Sequence, residues 1–179
     1  MKFQKLLLTL TLFTTFITYS QHQKGSWTAS AAISPYPIEV NGENDFGVLG
    51  IGSLEFFVSE KVSFSGSFFT SNNDLFKNDS GLKLRSYGFI PGVQYYFLNN
   101  EKFAIYGQAG YGFGFKSDER TNLDNEALRI YNLGAGAHYQ LSEKWFVSLL
   151  LPYFNAKDIT FNQDEASGVA VFLGAGIKL

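Results

Sequence analysis

The feature that most constrains this chain is an alternation of side-chain type at every second residue, repeated over eight segments of about ten residues. A period of two indicates a β-strand, because successive side chains of a strand point to opposite faces of the sheet. Beyond residue 20 no segment shows the period of an amphipathic helix. The sequence therefore predicts an all-β chain with eight strands, at residues 25–33, 47–58, 62–71, 82–97, 103–115, 128–141, 145–155 and 168–179.

The connecting segments alternate between short and long. Three short ones carry a Glu-Lys pair, and the lysines Lys61, Lys102 and Lys144 lie 41 and 42 residues apart. The long connectors, at 34–46, 72–81, 116–127 and 157–167, are polar and mostly acidic. Short turns on one side and longer loops on the other are typical of an even-stranded barrel. We therefore expect an eight-stranded antiparallel up-and-down barrel.

The composition of the less bulky row of each strand separates a membrane barrel from a soluble one. A surface that faces water carries charged residues at about 25–35% of positions. Here that row is mostly Gly, Ser, Ala, Asn and Gln, as in Ser63, Ser65 and Ser67, and the charged residues lie in turns and loops. The opposite row is bulky and apolar, as in Val147 and Leu149. We expect this bulky row to face lipid and the small row to line a narrow lumen. The barrel must close, because no strand edge stays unpaired in hydrocarbon.

Strand length and aromatic positions agree with a membrane span. Nine residues from Trp145 to Tyr153, at about 3.3 Å each and tilted by about 40°, cover roughly 23 Å, close to the apolar band of about 25 Å in such barrels. Aromatic residues lie near both ends of the strands, where they would form interfacial belts. The predicted interfacial aromatics are Trp27, Phe97, Phe103, Tyr139 and Trp145 near the short turns and Tyr153 near the long loops.

The first twenty residues have the features of an export signal. Lys2 and Lys5 precede an apolar run over 6–17, and small residues follow before Gln21. The run is shorter than the roughly 20 residues that a spanning helix requires. We therefore predict a cleaved signal peptide at 1–20 and a barrel domain at 21–179. Without the two lysines, the 14 basic residues become 12 against 16 acidic ones, a net charge of −4, which argues against nucleic acid as a partner.

Three stretches, at 87–97, 103–114 and 133–145, resemble the small outer-membrane β-barrel family common in Bacteroidetes, whose members are often labelled porin-like or OmpA-like. The resemblance implies an eight-stranded transmembrane barrel, integral to the bacterial outer membrane. It also implies two partners, outer-membrane lipid and the outer-membrane assembly machinery. Such barrels usually end on an aromatic residue, whereas this chain ends on Leu179. Because Leu179 is still apolar, we expect insertion to proceed.

Four polar residues recur at one position of the even-numbered strands, near the short turns: Glu55, Gln94, His138 and Lys178. Their parity points them into the lumen at similar depth. We predict a polar lumen cluster in which Glu55 and Lys178 form an ion pair across the first strand, because an unpaired buried charge is costly. His22, the other histidine of the chain, is placed in the N-terminal tail.

No catalytic, cofactor or metal motif is found in the sequence, so we expect no cofactor, no metal and no enzyme activity. The chain has no cysteine, and no serine lies at a suggestive spacing from His138. The expected role is that of a monomeric structural or surface-interaction protein whose loops meet an unidentified ligand. A narrow porin-like channel for ions or very small solutes, a lipid-modifying enzyme and a soluble periplasmic binding barrel are the alternatives.

Overall fold

A computed structural model describes residues 21–40, 43–72, 84–118, 126–159 and 164–179. The predicted signal peptide lies outside the described residues. No helix long and apolar enough to cross a membrane occurs in the part that the structure describes. The strands are β1 Trp27–Val40, β2 Glu43–Phe57, β3 Val62–Asn72, β4 Leu84–Asn99, β5 Phe103–Asp118, β6 Glu126–Gln140, β7 Trp145–Asp158, β8 Asp164–Val169 and β9 Phe172–Lys178.

The strands form a closed antiparallel barrel. Each strand from β1 to β7 pairs with the next along the chain, β7 pairs with both β8 and β9, and β9 returns to β1. The β1–β9 ladder closes the wall between Thr28 and Ile33, as a membrane-spanning sheet requires. The predicted all-β, eight-stranded up-and-down barrel is confirmed, with one strand divided into two segments.

The divided strand is explained by a proline on its neighbour. Tyr153 pairs with Val169 in β8 and Leu150 pairs with Phe172 in β9, so the register does not shift across the break. Ala170, opposite Pro152, donates its N–H to the Pro152 carbonyl at 3.0 Å. Because proline has no N–H, Pro152 cannot donate the second hydrogen bond of this pair to the Ala170 carbonyl. The ladder therefore stops for two residues, and β8 and β9 act as a single eighth strand of the barrel.

The first hairpin is longer than the sequence indicated. Residues 34–46 were expected to be a loop, but β1 runs to Val40 and pairs with β2 up to Glu43. Pro35 and Pro37 conceal the strand in the sequence because proline weakens a β-ladder. Beyond Ile33, β1 has no ladder with β9. A strand paired on one side tolerates proline, and this explains why the segment stays extended.

The repeated Glu-Lys turns have one shared construction. A Ser or Asn side-chain oxygen before each pair accepts N–H bonds from the residues that follow, as in Asn100 Oδ1 with the amide of Phe103 at 2.8 Å. The lysine carbonyl of each turn then accepts a hydrogen bond at 2.8 Å from a backbone N–H of a later strand. These bonds run from Tyr96 to Lys61, from Gln140 to Lys102 and from Lys178 to Lys144. The sequence repeat is therefore a repeat of turn structure.

Burial confirms which row faces outward. The bulky row of β7 is exposed, by 39% at Leu149 and 42% at Leu151, whereas the alternate residues Phe146 and Leu150 are buried. All six predicted interfacial aromatics lie on the outer face, exposed by 40% to 70%. Their depth in the bilayer stays a prediction.

Candidate functional site in the barrel interior

The barrel interior is filled by large side chains. Phe57, Tyr96, Phe146 and Phe172 project inward and are at most 1% exposed. The prediction that small uncharged residues line the lumen is therefore only partly correct, because the inward-facing rows also carry these large rings. An eight-stranded barrel is just wide enough for its own side chains to fill. The interior is consequently a packed core.

Towards the long loops, glycines on β4 and β5 make room for rings from other strands. A Cβ atom placed on Gly114 would lie 3.0 Å from both Phe69 Cζ and Ile130 Cδ1. A Cβ atom on Gly88 would meet the Phe69 ring. The small inward residues of these two strands therefore serve to accommodate Phe69 and Ile130.

Towards the short turns, the predicted polar cluster faces the interior. Glu55, Gln94 and His138 are buried, while Lys178 is partly buried. Tyr96 brings two of them together, because its Oη donates to Glu55 Oε1 at 2.7 Å and lies 3.1 Å from Gln94 Oε1. Three of the four predicted residues are therefore buried, and the role of the cluster stays a prediction.

The expected Glu55–Lys178 ion pair is not formed. In the described part of the chain, the Glu55 carboxylate accepts hydrogen bonds from three hydroxyls, those of Thr28, Ser63 and Tyr96. Thr28 pairs with Glu55 on one side and with Lys178 on the other. Its short hydroxyl on the intervening strand reaches the carboxylate directly. Neutral donors thus satisfy Glu55 without burial of an ammonium group, whose desolvation would be costly.

A residue that sequence reasoning left in the tail completes this cluster. His22 is 1% exposed and lies inside the barrel mouth. Its ring stacks on Phe57 with a centroid distance of 4.4 Å and an interplanar angle of 12°. Its Nε2 is 3.4 Å from His138 Nδ1. No local pattern marks a single histidine in a polar tail as buried, so only the fold reveals this contact.

The backbone of the tail is held in place at two points. Gly25 adopts a left-handed conformation (φ 85°), which glycine favours, and its N–H bonds to the Phe57 carbonyl at 2.7 Å. The Asn99 side chain accepts the His22 N–H at 3.2 Å and donates to the His22 carbonyl at 3.1 Å. We call residues 21–25 the N-terminal plug.

Burial, together with the neighbouring His138 and Lys178, lowers the pKa of His22 from 6.5 to about 2. The ring is therefore neutral at ordinary pH and offers no proton to a solute. No group of three or more residues suited to hold a metal ion is found within the described ranges. The arrangement forms a packed, hydrogen-bonded end of the barrel.

Comparison with known proteins agrees with this geometry. The family model described as "Outer membrane protein beta-barrel domain" matches residues 6–177. The chain belongs to this outer-membrane β-barrel family. Membership makes it an integral protein of the bacterial outer membrane. No curated protein matches the chain.

Three solved structures share the fold of this family member at low sequence identity. The N-terminal β-barrel domain of Pseudomonas aeruginosa OprF has a TM-score of 0.59 and 16% identity and covers 88% of this chain and 100% of its own. Ail of Yersinia pestis has a TM-score of 0.58 and 16% identity, with the same coverage. Neisserial surface protein A has a TM-score of 0.63 and 13% identity, covering 87% and 97%.

Proposed function

We propose that this chain is a non-enzymatic outer-membrane protein with a structural or surface-interaction role, in which the barrel is a solid support. The observation that carries the proposal is the filled interior. Phe57 and Phe146 close the turn side, and Phe69 and Ile130 fill the loop side. We infer that these side chains leave a solute no open route. The surfaces left to act are the outer wall and the loops.

The outer wall fits lipid as its first partner. Leu133 and Leu173 are exposed by 65% and 64%, and Phe97 by 70%. Burial of such surface in hydrocarbon is favourable, and insertion of a closed barrel calls on the outer-membrane assembly machinery as a second, transient partner. We propose that the barrel is monomeric and that its loops meet the ligand. Ail, which shares the fold, was solved with the heparin analogue sucrose octasulfate.

The buried histidines support the non-enzymatic part of the proposal. His138 and His22 are 4% and 1% exposed, so neither reaches a lipid or a solute as a general base. A catalytic base must lie within hydrogen-bond reach of its substrate. We therefore propose that both histidines act as packing groups.

A narrow channel is the second candidate, favoured by polar pairs inside the barrel. Ser53 and Ser67 are joined by a hydroxyl bond at 2.8 Å, and Gln108 donates to Asn132 at 3.0 Å. Small polar groups of this kind could hold water. The aromatic rings above and below them weigh against a continuous path.

Recordings in planar lipid bilayers distinguish the two candidates. We expect the purified chain to give no conductance steps. A known porin, tested in parallel under the same conditions, shows that proteins insert at a sufficient density. Steps of constant size would overturn the solid-barrel proposal in favour of a channel. Lipid A from cells with and without the gene should have identical mass spectra; a mass difference that depends on the gene would contradict the non-enzymatic role.

A further inference from the structure

We propose that the N-terminal plug, residues 21–25, is an acid-sensitive closure of the barrel end: it is seated while His22 is neutral and leaves when His22 gains a proton. Short turns of such barrels face the periplasm, so this is the periplasmic end. The proposal concerns that end alone and does not rest on what the loops bind.

The slot that receives His22 is built for a neutral ring. Phe57 stacks on one face, Phe146 meets the ring edge-on at 6.0 Å and Tyr96 lies at 5.5 Å, all as centroid distances. These rings exclude the water that would hydrate a cation. Phe57 can offset part of that cost through its π face, but desolvation of the charge dominates.

The titratable groups around the plug come from five strands. His138 on β6 and Lys178 on β9 are bases and oppose a positive charge on His22. Tyr96 on β4 and Tyr106 on β5 carry neutral phenols, the latter packed on His138 at 4.9 Å. Among the described residues around the plug, Glu55 on β2 would favour the cation, but its oxygens already accept three hydroxyl bonds.

The plug can leave without disturbing the wall. No strand ladder includes residues 21–24; β1 begins at Trp27. Gln23 and Lys24 are already exposed, and Gly25 provides the bend. Within the described residues, Gln21 Oε1 is buried with no hydrogen-bond partner, which weakens the seated state. The Asn99 clamp on the His22 backbone and the hydrogen bond that Gln21 Nε2 donates to Gln140 Oε1 are polar attachments that must be broken.

The direction of the pH effect follows from the lowered pKa of His22, which falls from 6.5 to about 2 in the seated plug. Because the seated state favours the neutral ring, seating is fully stable above about pH 6.5. It weakens by about tenfold for each pH unit below that value, down to the pKa of the seated state.

Thiol reactivity tests the proposal, because the chain has no cysteine of its own. Gln21→Cys places a probe at a buried position and Gln23→Cys a matched probe at an exposed one. Both full chains are extracted from outer membranes and reacted with 4,4′-dithiodipyridine, which still reacts in acid. We expect the Gln21→Cys rate to be far below the Gln23→Cys rate at neutral pH. Their ratio should then rise about tenfold per pH unit below 6.5 until the rates meet.

His22→Phe in both probe chains is the control, since phenylalanine keeps the stacking on Phe57 and cannot titrate. We expect its rate ratio to stay low and constant with pH. The proposal is overturned if the two probes react equally at neutral pH, if the parent ratio does not change with pH, or if the His22→Phe ratio rises in the same way. An unboiled-versus-boiled gel shift at each pH verifies that the barrel itself remains folded.

Discussion

The two ends of the barrel interior are filled in different ways. At the turn side, large inward residues converge on polar groups: Glu55 accepts three hydroxyl bonds, and His22 enters from the tail to stack on Phe57. At the loop side, Phe69 and Ile130 lie against a wall that lacks side chains at Gly88 and Gly114. One end depends on hydrogen bonds among buried groups, and the other depends on shape.

This difference shows how one cylinder of eight strands accommodates two kinds of core. A barrel of this size leaves a fixed interior width. At the turn side, the hydroxyls of Thr28, Ser63 and Tyr96 satisfy the buried Glu55 carboxylate. At the loop side, the Phe69 ring from the neighbouring strand β3 fills the space that Gly88 and Gly114 leave on β4 and β5. Substitutions at the two ends should therefore fail for different reasons.

The largest expected effect lies at the loop side, where Phe69→Ala removes the ring that covers the glycine wall. We expect a loss of about 3–5 kcal/mol in the free energy of unfolding, because a cavity remains that the wall cannot close. Phe68→Ala is the matched control, since Phe68 is 54% exposed on the outer face and lipid can take its place. Urea unfolding in lipid vesicles measures both. Equal losses for the two variants would contradict the packed loop side.

Gly112→Val should have the next largest effect. A Cβ at Gly112 would meet the backbone of Phe89 and Ile90, and backbone atoms cannot move aside as a flexible side chain can. Overpacking of this kind costs about 1–3 kcal/mol.

Gly52→Val is the control for that substitution, because a Cβ there meets nothing within 4 Å. Its effect should lie within about 0.5 kcal/mol. The fraction that migrates as folded barrel in unboiled gels, followed by unfolding curves, measures both variants. If Gly112→Val were tolerated, glycine would not be required at this position for the close approach of β4 and β5.

The smallest effect is expected at the turn side, from Tyr96→Phe. The ring stays, but Glu55 loses one of its three hydroxyl donors. We expect a loss of about 1–2 kcal/mol, because a buried acceptor is left less satisfied. Tyr95→Phe, on the outer face with 47% exposure, should change stability little. If the two substitutions changed the free energy of unfolding equally, the hydrogen bond from Tyr96 to Glu55 would not stabilise the turn side.

Several expectations from sequence failed for identifiable reasons. Glu55 and Lys178 were expected to pair because parity places them at similar depth. Parity does not reveal that Thr28, which lies between them on β1, donates its hydroxyl hydrogen bond to the Glu55 carboxylate. The first long loop was expected from its polar, mostly acidic composition, yet β1 continues to Val40 because a strand paired on one side tolerates Pro35 and Pro37. His22 was assigned to the tail because nothing local indicates a fold-back into the barrel.

The sequence by itself determined the all-β fold, the eight-strand count, the outward row and the shared turn structure. These features depend on contacts between near neighbours: side chains alternate at a period of two, and each Glu-Lys turn satisfies its own amides. Only the tertiary structure decided what fills the barrel, because the curved, closed sheet brings Glu55 to Tyr96, Phe69 to Gly114 and His22 to His138. Such contacts join residues far apart in the chain. Their geometry is set by the barrel's width and register, which no single strand encodes.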